Sequence, residues 1–271
     1  MRRVLKSSLF ASVLLLGACA HHYRPPKESL TPLNATPKTV DSLWNSAVDL
    51  YNRHKWDKSA SAFDRVELEM SPGDRRVLLG RIYLGDLYVR EGSSLQAVRE
   101  YRRLVDEFPT DSLAPEALFR AADAYFKLWR APDLDPTYGI TAQSVDSEVI
   151  TRYPNTPAAT KAQGQLRELE NRFATRGYKA AAFYLRLKAY ESAILYLKDL
   201  VLQYPHAAVA PDALAALIKA YRKLNYAEDL HDTCVYMQRD WGSTPQYRTS
   251  CPQTAAAAPA DTAHAGKPAG P

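Results

Sequence analysis

Residues 84–109 read LGDLYVREGSSLQAVREYRRLVDEFP, and the reading of this stretch decides the fold. Leu84, Gly85 and Tyr88 are followed by Ala97, Tyr101 and Leu104, and the run stops at Pro109. That spacing predicts two antiparallel helices. Gly85 and Ala97 fall where the two helices approach most closely, and Tyr88 and Tyr101 fill the space beside them. Pro109 ends the second helix because it cannot continue the hydrogen-bond ladder. A hairpin of this size cannot keep its apolar face from water alone, so neighbours of the same kind must stack on it.

The same order of small, aromatic and proline positions recurs in weaker form, which is the tetratricopeptide pattern. The fold class expected is therefore all-α: an α-solenoid of about five tetratricopeptide-like hairpins over residues 40–241. The first hairpin runs from about Val40 to Pro72, with Leu43, Ala47 and Leu50 facing Phe63 and Val66. Ser59 stands where alanine is usual, which predicts a looser copy. The third begins at Ala114-Pro115, with proline suited to a first helical turn, and is lengthened by an insertion around Arg130–Pro136. Such an insertion marks either a contact surface or a loop that is merely tolerated. A separate amphipathic helix is expected over 158–175, carrying Leu166, Leu169 and Phe173, before a fourth hairpin that stops at Tyr204-Pro205. Phe108-Pro109 through Ala114-Pro115 recurs as Tyr204-Pro205 through Ala210-Pro211, so the connection and its packing step should be the same. The fifth hairpin uses Leu217, Tyr221 and Tyr226, then a helix to Trp241.

Composition agrees with a helical middle. The chain has 271 residues, 46% of them hydrophobic and 24% charged, and the prolines between residues 40 and 241 fall at helix breaks. The net charge of +5 includes Arg2, Arg3 and Lys6, and is +2 without them. No basic stripe with interleaved aromatics accompanies it, so no nucleic-acid partner is expected.

Residues 1–18 have a basic start and an apolar run from Leu9 to Leu16, too short for a spanning helix and suited to a secretory signal. Leu16-Gly17-Ala18-Cys19 resembles the bacterial lipobox, which implies lipidation of Cys19, cleavage before it and anchoring by several acyl chains. Ala20 after the cysteine implies passage to the outer membrane. Residues 19–39, with Pro25, Pro26, Pro32 and Pro37, read as a proline-rich tether. His21 and His22 lack a third ligand nearby, so no metal site is assigned. Residues 242–271 are rich in alanine, proline and threonine and are expected to be a disordered tail. Cys234 and Cys251 remain after Cys19 is lipidated. They leave two outcomes open: a disulfide pinning the tail to the last helix, or two free thiols.

Catalytic patterns are absent from the sequence. It has no phosphate loop, H-E-x-x-H, nucleophile elbow or paired-cysteine motif, and its six histidines are scattered. The expectation is a non-enzymatic scaffold without cofactor. In a stacked array the first helix of each hairpin lines a concave groove. By this counting Trp44 and Tyr51, then Arg90, then Phe119, Phe126 and Lys127 line a groove for an extended peptide with aromatic side chains and a terminal carboxylate. The competing reading is that these aromatics are ordinary core.

A lipobox, a proline tether and tetratricopeptide hairpins together resemble the BamD family of outer-membrane β-barrel assembly lipoproteins. Asp133-Leu134-Asp135-Pro136, Tyr153-Pro154-Asn155-Thr156, Ala181-Ala182-Phe183-Tyr184 and Tyr204-Pro205 follow that family's order and approximate spacing over roughly residues 16–240. The resemblance implies a lipid-anchored subunit on the periplasmic face of the outer membrane. Its implied partners are the POTRA domains of the barrel-forming subunit, accessory assembly lipoproteins and unfolded outer-membrane proteins. Tyr196 stands where better-known members carry a polar, basic residue, so no charge contact is expected there. The alternative is another periplasmic tetratricopeptide lipoprotein acting as an adaptor in envelope or peptidoglycan processes.

Overall fold

A computed structural model describes residues 37–251, and Cys19, most of the tether and residues 252–271 lie outside them. The described residues form eleven α-helices and no strand: α1 (Pro37–Asn52), α2 (Trp56–Glu69), α3 (Arg75–Arg90), α4 (Ser94–Glu107), α5 (Ala114–Leu128), α6 (Thr137–Arg152), α7 (Pro157–Arg186), α8 (Tyr190–Gln203), α9 (Ala210–Leu224), α10 (Ala227–Trp241) and α11 (Pro245–Ser250). Each helix packs on the next in sequence, and α5 also packs on α7, α7 on α9 and α9 on α11. This is an α-solenoid of five tetratricopeptide-like hairpins, closed at its C-terminal end by α11.

The helix boundaries follow local chemistry. Ser71 to Asp74 closes a turn, and the Asp74 side chain then accepts from the Arg76 amide to cap α3. Pro115, Pro157 and Pro211 occupy first-turn positions of α5, α7 and α9, where no amide is needed. Inside four hairpins the turn uses one residue in the left-handed region: His54 (φ 59°), Gly92 (φ 81°), Lys188 (φ 59°) and Asn225 (φ 59°). The third hairpin replaces that turn with its insertion. Between hairpins the repeated connection has one geometry. Asp111 N donates to Phe108 O and Ala114 N to Asp111 O, just as Ala207 N donates to Tyr204 O and Ala210 N to Ala207 O.

Three local expectations are corrected. Residues 158–175 do not form a helix of their own: α7 runs unbroken for 30 residues, because no proline or turn separates Phe173 from Ala181 and Gly177 sits against Leu200 inside the packing. The copy carrying Ser59 is not loosened at that position, since the buried hydroxyl donates to the Ala47 carbonyl at 3.1 Å and so bonds the two helices of the first hairpin. The tail expected from residue 242 starts too early. Pro245–Ser250 is helical, Tyr247 and Cys251 are buried beside Leu214, Ile218 and Met237, and Cys251 is bonded to Cys234 with the Cα atoms 5.8 Å apart. Composition alone missed this because one aromatic and one cysteine supply the buried part of the anchor.

The insertion is fastened rather than loose. Arg172 donates to the Trp129 carbonyl at 3.0 Å, Arg176 to those of Pro132 and Leu134 at 3.0 and 2.6 Å, and Lys179 pairs with Asp133 at 2.8 Å. These cations lie at positions i, i+4 and i+7 of α7, which puts them on one face. Trp129 is fully buried, its ring tilted against Phe173 at 4.7 Å and set against Gly139, where no side chain would fit.

Candidate peptide-binding recess

The first helices of the first three hairpins supply the walls of a recess of about 460 Å³. Tyr51 comes from α1, Asp86, Val89 and Arg90 from α3, and Glu116, Phe119, Arg120, Asp123 and Lys127 from α5, with Tyr101 of α4 at the back. On α5 the charged residues follow spacings of four, three and four, which aligns them on one side of the helix.

Most of these charges are already compensated. Arg120 donates to both oxygens of Asp86 at 2.6 Å and to Glu116 at 3.1 Å, and Lys161 reaches Glu116 at 3.0 Å. Lys127 pairs with Asp123 at 2.6 Å. The Tyr101 hydroxyl donates to Asp86 at 2.7 Å, and burial together with the Asp86 charge holds its proton well above the ordinary phenol range. Arg90 is different: among the described residues it has no carboxylate within 4.0 Å, and its guanidinium lies 4.7 Å over the Trp56 ring. An exposed cation stacked on an indole keeps its donors free for an incoming anion.

The structure gathers four of the six groove residues expected from sequence. Tyr51, Arg90, Phe119 and Lys127 line the recess; Tyr51 is braced edge-on by Trp56 and Tyr83 at 5.5 and 4.8 Å, and Lys161 lies 5.5 Å over Phe119. Trp44 and Phe126 are not among its walls. Trp44 packs edge-on against Phe63 and Tyr83, and Phe126 lies under the Arg172 guanidinium at 3.9 Å beside Trp129 and Leu169. Arg120 and Tyr101 were missed. The Glu116-x3-Arg120 spacing hinted at an ion pair on α5, but the link from Arg120 to Asp86 joins neighbouring hairpins and has no local signal.

Stacked helical hairpins with a recess lined by their first helices define a tetratricopeptide-like scaffold. The chain belongs to the YfiO family of outer membrane lipoproteins, whose pattern matches residues 37–234. It is 24% identical over 199 residues to the outer membrane protein assembly factor BamD of Caulobacter vibrioides, covering 71% of this chain and 63% of that protein, so it spans less than two thirds of that relative's length. To BamD of Xylella fastidiosa strain 9a5c it is 26% identical over 233 residues, covering 81% of this chain and 76% of that protein. Among solved structures it is similar to the TPR2AB-domain:pHSP90-complex of yeast Sti1, at 12% identity and a TM-score of 0.45, covering 79% and 82% of the two chains.

Proposed function

We propose that this chain is an outer-membrane protein assembly factor: a lipid-anchored adaptor that docks on the POTRA domains of the barrel-forming subunit and receives unfolded outer-membrane proteins. Family membership and the relatives' shared name support the general role. Cys19 is the proposed anchor; no helix among the described residues is long and apolar enough to cross a membrane. The observation that carries substrate receipt is the recess itself, where Tyr51 and Phe119 offer aromatic walls and Arg90 an uncompensated cation. An extended segment ending in an aromatic residue and a carboxylate matches that set, because ring stacking and a charge-assisted hydrogen bond act together.

The test measures binding of a ten-residue peptide ending in phenylalanine with a free carboxylate. Arg90→Ala with Phe119→Ala should weaken it at least tenfold, and amidating the peptide terminus should act through Arg90 alone. Unchanged affinity in a folded double variant ends the substrate reading. Co-purification with the barrel-forming subunit from detergent-solubilised outer membrane tests the docking role separately.

A further inference from the structure

We propose that the groove between α8 and α10 is a second docking site, for a partner segment that presents leucine-sized side chains flanked by lysine or arginine. The inference deepens the adaptor reading, and rests on it for the partner being a protein.

The site begins with the sequence of α8, YESAILYLKDLVLQ, which carries more apolar residues than one packed face requires. Ala193, Ile194, Leu197 and Leu200 are buried against the neighbouring helices. Leu195 and Leu202 are 71% and 81% exposed. Seven residues apart, they lie on one stripe two turns long. Beside Leu202 opens a groove of about 760 Å³, whose floor is made by Val201, Leu214, Leu217, Tyr221 and Tyr236. An exposed leucine at the edge of an apolar groove, continued by a second along the same helix stripe, is a recognised form of helix-docking surface.

The rim selects the occupant. Asp199, Asp229 and Asp232 stand around the groove against one cation, Lys198, which already lies 3.9 Å from Asp229. A carboxylate-rich rim on an apolar floor favours a cationic amphipathic segment and repels an acidic one. The chain's own C-terminal residues do not fit. PQTAAAAPADTAHAGKPAGP, residues 252–271, contains no leucine, isoleucine, valine or aromatic side chain to fill the floor.

The experiment titrates the whole chain with a 14-residue helix-forming peptide of leucine and lysine, about 21 Å long, by isothermal calorimetry. Two controls accompany it: the same leucine spacing with glutamate, and a leucine–lysine scramble without amphipathic order. The lysine peptide should bind, weakening as salt rises, and both controls should bind at least tenfold more weakly. Leu202→Lys with Asp232→Lys, both on exposed positions, should lower affinity for the lysine peptide at least tenfold. If the double variant fails to fold, Asp232→Lys alone should remove part of the salt dependence. Equal binding of lysine and glutamate peptides, or unchanged binding to the folded variant, overturns the proposal. Failure of the parent chain to co-purify with the barrel-forming subunit would count against the adaptor reading, while peptide binding lost in the variant would still support the groove.

Discussion

Gly85 and Tyr101 are in direct contact: a Cβ at residue 85 would lie only 2.2 Å from the tyrosine ring, whose hydroxyl is held by Asp86 at 2.7 Å. The small residue of one helix and the aromatic of the next are thus a single fitted pair. Because Asp86 also anchors Arg120 on the third hairpin, the ring has no cheap way to move.

Gly85→Ala should therefore destabilise the solenoid by about 2 kcal/mol, overpacking outweighing alanine's better helix propensity. Urea denaturation measures it. Gly80→Ala, whose added carbon would lie 3.7 Å from Phe63, is the control that should be neutral or stabilising.

Asp146 makes stability depend on pH. It is fully buried on α6 with neither oxygen hydrogen-bonded, and burial, reinforced by the Asp123 charge, pushes its carboxyl up to about 8. The unfolded chain loses this proton near 4 while the folded chain keeps it, so the folded state binds more protons through that window. Stability from this group accordingly falls as pH rises, by at most about 1.4 kcal/mol per unit, until the folded carboxyl also ionises. Asp146→Asn should flatten the slope between pH 5 and 8 in urea titrations. A parent and variant with parallel pH profiles would contradict the assignment.

The Cys234–Cys251 bond spans 17 residues and holds α11 over the last hairpin, where Gln246 also donates to Asp212 at 2.9 Å and Arg222 to the Ser250 carbonyl at 2.9 Å. Reduction should lower stability by up to about 3 kcal/mol through chain entropy. Cys251→Ser should show a lowered midpoint that no longer responds to reductant, read by thermal melts with and without it.

Arg176 ties down the insertion through two carbonyls. Arg176→Ala should speed amide exchange across residues 130–136 without changing exchange in α1–α4, since the helix that carries Arg176 packs chiefly on α5, α6, α8 and α9. Hydrogen exchange read by mass spectrometry decides it.

Much is legible in the sequence alone, and for local reasons. Proline positions fixed the connections, and helical periodicity fixed the packed faces of Ala47, Phe63, Val66 and Leu104. Charge and motif content gave no pointer to a nucleic-acid or catalytic role. Four groove residues, Tyr51, Arg90, Phe119 and Lys127, came from the same periodic counting. Trp44 and Phe126 defeated it: each belongs to a periodic series that also serves the core, and a helix face shared by core and groove cannot be divided by spacing. Arg120 was invisible because its partner Asp86 lies on another hairpin.

What the sequence by itself determined is the repeating hairpin, since small, aromatic and proline residues act within a few turns of one another. Only the tertiary structure decided which rings face inward, how the insertion is fastened and that α11 closes the stack. Each of those depends on contacts between residues tens of positions apart, whose distance is set by how one hairpin leans on the next.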